Sequence, residues 1–118
     1  MLHLRPLNDG DNFPELQGGM YYIALDGTDL LGYCKYHKDH DCVIIEEIKD
    51  GGSMDLFDGL LRAVFAYVME ANVNRAKFSE NIDKETLKAL MVPVDGQNCV
   101  NSLKDFLYNC KKHHCVHL

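Results

Sequence analysis

The stretch Cys42-Val43-Ile44-Ile45-Glu46-Glu47-Ile48, a Gly51-Gly52-Ser53 break, and then Asp55 to Glu70 decides the fold. The first seven residues are β-branched or aliphatic around two glutamates and predict a strand. In the third block, Leu56, Phe57, Leu60, Leu61, Val64, Phe65 and Val68 recur at the i, i+3, i+4, i+7 spacing that lines one helical face. Asp58 and Arg62 sit four apart on the other face, placed to pair. A strand running through a short glycine-containing loop into a helix presents backbone N–H groups at the helix N-terminus, a natural seat for a phosphate. Here Asp55 and Phe57 stand where a phosphate cradle would place glycine.

Outward from this unit the chain is punctuated clearly. Residues 1–7 predict a first strand, and residues 8–19 are turn formers too short for more than one helical turn. Met20 to Leu25 predicts a strand, Asp26-Gly27 a hairpin turn, and Leu30 to Tyr36 its returning partner. His37 to Asp41 reads as a second polar turn before Cys42. After the long helix, Asn72-Val73-Asn74 ends it and Arg75 to Ser79 predicts a short strand returning to the sheet. Asp83 is placed to cap a helix to about Leu90, ahead of Pro93. Asp95 to Asn98 is a turn, and Ser102 can cap a last short helix with Leu103, Phe106, Leu107 and Cys110 on its apolar face. The expected architecture is α+β (mixed α/β): one domain over residues 1–118, with a central mixed, mostly antiparallel sheet flanked by helices.

Composition narrows the function. Eighteen acidic residues against 12 basic ones give a net charge of −6, and no basic run stands out. Nucleic acid is therefore not an expected partner, because phosphate-backbone binding needs concentrated positive charge. No segment reaches bilayer-spanning length and no signal-peptide pattern opens the chain, so the expectation is a cytoplasmic protein without a membrane partner. The cysteines at 34, 42, 99, 110 and 115 form an odd set, read as free thiols rather than a disulfide framework.

The element order, with Tyr21-Tyr22-Ile23-Ala24-Leu25, Leu30-Leu31-Gly32-Tyr33, the 42–48 strand and Leu60-Leu61-Arg62-Ala63-Val64 followed by Ala71-Asn72-Val73, resembles the GNAT superfamily of acyl-CoA N-acyltransferases over roughly residues 20–110. The resemblance implies acetyl-CoA or another acyl-CoA as cofactor and a small-molecule amine as acceptor. It assigns the pantetheine arm to Ile44, Ile45 and Ile48, and the pyrophosphate to Gly52, Ser53, Asp55, Leu56 and Phe57. It offers Glu46 or Glu47 as the base; strand alternation sends these two to opposite faces, so one of them looks into the cleft.

Three departures qualify that resemblance. The family opens this helix with Arg/Gln-x-x-Gly-x-Gly/Ala, and with Leu60-Leu61 in register those positions hold Gly52, Asp55 and Phe57. Acyl-CoA is therefore expected to bind weakly or not at all, with Asp55 placed to act as a capping carboxylate. The family's two helices before Met20 are replaced by about a dozen turn formers, leaving an acceptor site open or completed by a second copy in a homodimer. The family's acid, a Tyr after the second helix of this half, has no counterpart between Val68 and Leu107.

Other readings stay open. A non-catalytic interaction or dimerisation module could keep this fold. A metal-binding regulator would use Cys34, His37, His40 and Cys42, or Cys110, His113, His114, Cys115 and His117. Neither cluster has a standard zinc spacing, and no metal site is assigned. The aromatic residues Tyr21, Tyr22, Tyr33, Tyr36, Phe57 and Phe65 lie at core spacing.

Overall fold

A computed structural model describes residues 2–108. Across them the order is β1 (Leu2–Pro6), β2 (Met20–Asp26), β3 (Asp29–Asp39), β4 (Cys42–Lys49), α1 (Met54–Met69), β5 (Arg75–Phe78), α2 (Lys84–Ala89) and β6 (Cys99–Val100). Residues 103–108 form a last helical segment, α3. The strands make one sheet in chain order, β1 to β6, antiparallel except for the parallel pair β4–β5. That exception follows from α1: a helix between two strands carries the chain back to the end where β4 began.

The seven-residue stripe of α1 is almost entirely buried, with Phe57, Leu60, Leu61, Val64, Phe65 and Val68 in the core and Leu56 half-buried beside them. It packs across β2, β3 and β4 onto the sheet face that presents Ala24, Cys34, Tyr36, Val43 and Ile45. Ala76 and Phe78 of β5, Leu87, Val92, Leu103 and Phe106 extend the same core, and Phe106 meets Phe65 edge-on with ring centres 5.9 Å apart. The expected Asp58–Arg62 pair is present at 2.9 Å.

On the opposite sheet face, Tyr21, Ile23, Leu25 and Tyr33 form a smaller core under Leu16, with Phe13 packed against it. Residues 8–19 therefore do the covering that a helix would otherwise do. They are held by Arg5, whose guanidinium grips Asp11 through two bonds of 2.7 and 2.8 Å while Asn8 N–H donates to the same carboxylate. Arg5 first, then the Asn8 amide, lowers the Asp11 pKa to about 2.

Three details differ from the sequence reading. The polar stretch 37–41 is mostly strand: β3 runs to Asp39, β4 starts at Cys42, and the turn shrinks to His40-Asp41, with His40 at φ +58°. His37, Lys38 and Asp39 are all exposed at this end of β3, so polar side chains continue the strand without being buried. A two-residue strand, Cys99–Val100, precedes the last helix and pairs with β5, so both kinds of element occur where one was expected. Cys110 of that helix's expected apolar face lies outside the described residues.

Glycine marks one close approach. A Cβ on Gly32 would collide with the Lys49 carbonyl oxygen and press on Leu56 Cδ2. Gly59, inside α1, has room: a Cβ there would meet Leu4 Cδ1 at 3.6 Å. Gly59→Ala is thus expected to stabilise the protein by about 0.5–1 kcal/mol through helix propensity. Leu60→Ala, one residue on, is expected to cost about 2–5 kcal/mol. Urea titration of the two variants checks both signs.

The Asp11 clamp gives a pH expectation. An unfolded aspartate titrates near ~3.9, so a folded-state value of about 2 means that stability from this carboxylate is complete above pH ~4 and is lost as pH falls toward 2. Asp11→Asn should be less stable than the parent at neutral pH, with the gap closing over that acid window. A gap unchanged down to pH ~2 would contradict the clamp.

Candidate functional site

The junction of β4, residues 50–53 and α1 is the candidate site. Asp50 to Ser53 is a tight turn with Gly51 at φ +61° and Gly52 at φ +85°, closed by Ser53 N–H donating to the Asp50 carbonyl at 3.0 Å. Two successive left-handed residues explain the glycine pair, since a Cβ disfavours that region. The turn delivers Ser53 to the helix N-cap with φ −105° and ψ 114°.

The amides at the helix mouth are largely occupied. Gly52 N–H donates to Asp50 Oδ1 at 2.9 Å. Leu56 N–H donates to Ser53 Oγ at 3.1 Å, and Phe57 N–H donates to the Ser53 carbonyl at 3.0 Å. Among the described residues, no acceptor falls on the N–H groups of Met54 and Asp55, the first two helical positions, where orphan donors are the rule. The cap is therefore Ser53, which corrects the expectation that Asp55 serves. Asp55 lies exposed in the first turn, where its charge meets the positive end of the helix dipole. Phe57 is also placed differently from a loop residue: 4% exposed, its ring belongs to the core and points away from the helix mouth.

A β-bulge shapes the other half of the site. Tyr36 opposes Ile45 and Lys35 opposes Glu47, so Glu46 is an extra residue with no partner on β3. The bulge overrides simple alternation. His37 Nδ1 lies 3.0 Å from Glu46 Oε2, while the nearby Glu47 carboxylate helps raise the Tyr33 phenol pKa, after burial. Tyr33, Lys35 and His37 share the face turned away from α1, so Glu46 and Glu47 both project there. The expectation of opposite faces is corrected: one extra residue puts the two carboxylates on one side.

The bulge also ends the β4–β5 ladder. Ile45 pairs with Phe78, Ser79 N–H donates to the Ile45 carbonyl at 2.9 Å, and β5 then leaves the sheet. The strands part there, but Ser79 bridges the opening: its hydroxyl donates to the Glu46 carbonyl at 2.6 Å. Asn81 Nδ2 reaches the same oxygen at 3.5 Å.

The remaining expected residues distribute as follows. Ile45 is fully buried under α1, Ile48 is half-buried against the same core, and Ile44 is half-buried on the opposite face. Gly52 and Ser53 are exposed at the turn. Glu46 and Glu47 come together with His37, whereas the 52–57 segment lies beyond the end of β4. The part sequence reasoning missed is the bridge at Ser79 and Asn81. In the sequence Ser79 marks only the end of a strand, and nothing in its neighbours points to a partner 33 residues away.

The four-residue Cys/His set does not converge. Cys34 is buried on the α1 face, and that burial pushes its pKa up. His37 and Cys42 belong to the other face, and His40 stands out in the turn. Among the described residues no group of three or more His, Cys, Asp or Glu is arranged to hold a metal ion. The second set, from Cys110 to His117, lies outside the described residues.

No family model matches the sequence, and no curated protein matches it. Among solved structures, the chain is similar to a GNAT family acetyltransferase from Elizabethkingia anophelis with acetyl-CoA bound, at a TM-score of 0.62 and 14% identity, over 76% of this chain and 72% of that one. A GNAT family acetyltransferase from Staphylococcus aureus Mu50 overlaps at a TM-score of 0.47 and 14% identity, over 62% of this chain and 48% of that one, and no argument rests on it. The first likeness shows the fold: a GNAT-type α+β sheet with helices.

The cap assignment is checked by two substitutions. Ser53→Ala is expected to cost about 1 kcal/mol, the usual loss of an N-cap. Asp55→Asn is expected to cost about 0.5 kcal/mol, the dipole contribution of an exposed acid. Thermal unfolding that reverses this order would return the cap to Asp55.

Proposed function

We propose that this GNAT-fold protein holds acyl-CoA weakly or not at all and acts as a non-catalytic module of that fold. The observation that carries the reading is the occupation of the helix mouth from within. Asp50 takes the Gly52 amide, Ser53 takes those of Leu56 and Phe57, and Asp55 stands exposed beside the two free N–H groups. A pyrophosphate binding there would have the carboxylates of Asp50 and Asp55 beside it. Each unit-charge repulsion at about 4 Å is worth roughly 1 kcal/mol in water and more at lower dielectric. The Ser79 bridge across the β4–β5 opening supports the same reading, because a pantetheine arm lying along β4 would have to displace it.

A second reading, slow acyl transfer to a small amine, draws on the Glu46–His37 pair. A carboxylate hydrogen-bonded to an imidazole, both partly exposed, is a competent proton acceptor for an amine. In that reading Glu46, rather than Glu47, is the base. A homodimer completing the acceptor side belongs to either reading.

Calorimetric titration with acetyl-CoA separates them. The leading reading predicts a Kd of about 1 mM or weaker for the unmodified protein. It also predicts roughly tenfold tighter binding by an Asp50→Ala/Asp55→Asn variant, which frees the Gly52 amide and removes both charges. Phe57 is left in place, since truncating a buried Phe costs about 3–5 kcal/mol. Micromolar binding by the unmodified protein, with acetylation of an amine that Glu46→Gln abolishes, would establish the second reading instead.

A further inference from the structure

We infer a second ligand site, for a small uncharged phenol or aryl alcohol, where the last turn of α1 faces the start of β2 and the end of β3. The concavity there has a volume of about 250 Å³ and is lined by Met20 and Lys38 from the strands and by Tyr67, Val68, Glu70 and Ala71 from the helix end. It lies at the opposite end of α1 from the Asp50 to Ser53 turn, roughly 20 Å away at 1.5 Å of rise per residue. It is also on the other sheet face from the Glu46–His37 pair, so it is separate from the site discussed above.

The Tyr36 hydroxyl distinguishes this concavity from a surface hollow. Tyr36 faces α1 from β3, its cross-strand partner is Met20, and Lys38 follows two residues on along the same face. The residue is 1% exposed and its hydroxyl has no hydrogen-bond partner among the described residues. No described side-chain polar atom is both fully buried and unpartnered, so what exposure Tyr36 keeps lies at that hydroxyl, on an open space. Burial, then the Tyr67 phenol, the Cys34 thiol and the Tyr22 phenol, push its pKa up to about 12, which sets the hydroxyl close to the helix wall of the concavity. Tyr67 in turn meets Tyr22 edge-on, with ring centres 5.8 Å apart.

The ligand's chemistry follows from these walls. A nearly buried hydroxyl without a partner is a cost that a hydrogen-bonding head group removes. Val68, Ala71 and the exposed parts of Met20 and Tyr67 offer an apolar surface that suits an aryl body. Lys38 and Glu70, both exposed at the rim, carry opposite charges and favour neither an anion nor a cation, so the head group is uncharged.

The test uses phenol and toluene, which differ by the hydroxyl, followed by NMR on the 118-residue protein with no coenzyme A present, so that its outcome is independent of the acyl-CoA titration. Phenol should shift the signals of Met20, Tyr67, Val68 and Ala71 saturably and bind about tenfold more tightly than toluene. Tyr36→Phe removes only the hydroxyl, which makes no bond in the folded protein, so the variant should fold; it should bring phenol down to the toluene level and leave toluene unchanged. Ala71→Trp, at an exposed rim position, should block both probes. No saturable shift by phenol, equal binding of the two probes to the parent, shifts centred on other residues, a phenol preference that survives Tyr36→Phe, or binding undiminished by Ala71→Trp would each overturn the proposal.

Discussion

The turn from Asp50 to Ser53 sets the position of everything after it. Two left-handed glycines fold the chain back on itself, Ser53 caps the helix, and α1 leaves at the angle that lays its stripe across β2, β3 and β4. With that stripe buried, the chain returns beside β4 in parallel, and β5, α2, β6 and α3 complete the sheet and core. The same turn governs ligand chemistry. A helix N-terminus offers donors to an anion only where its own side chains leave them free, and here Asp50 and Ser53 take the amides of Gly52 and Leu56, leaving those of Met54 and Asp55 beside the Asp55 carboxylate. Local stability and phosphate binding draw on the same few amides.

The bulge at Glu46 is the second constraint. One unpaired residue ends the ladder with β5, places two carboxylates on one face, and aims a carbonyl at Ser79. Bulges commonly re-aim side chains beside active sites. In this chain the re-aimed carboxylate meets His37 and the re-aimed carbonyl is closed off, so the feature that opens a cleft is answered by contacts that fill it.

Much of this architecture was legible because it rests on period and capping. The α1 stripe, the Asp-Gly hairpin, the Asp83 and Ser102 caps and the returning strand at 75–78 follow from side-chain spacing and known turn chemistry. What was not legible has a physical cause in each case. Asp50, Ser53 and Asp55 are all competent caps within six residues, and only backbone geometry selects Ser53. The bulge is invisible because Glu46 and Glu47 are identical, so a one-residue slip leaves no trace in the pattern. His37 to Asp39 look like a turn because exposed residues at a strand end are as polar as turn residues. The motif register placed Phe57 at the phosphate, while the helical stripe, read from the same residues, placed it in the core; packing decided for the stripe.

Amide hydrogen exchange at the helix mouth, followed residue by residue with and without coenzyme A, tests the central claim most directly. The account predicts that Gly52 and Leu56 are protected in the free protein, that Met54 and Asp55 exchange fast, and that coenzyme A changes none of the four. Fast exchange at Gly52 and Leu56 that becomes protected on adding coenzyme A would contradict it, and would mean that the turn keeps its amides for a phosphate.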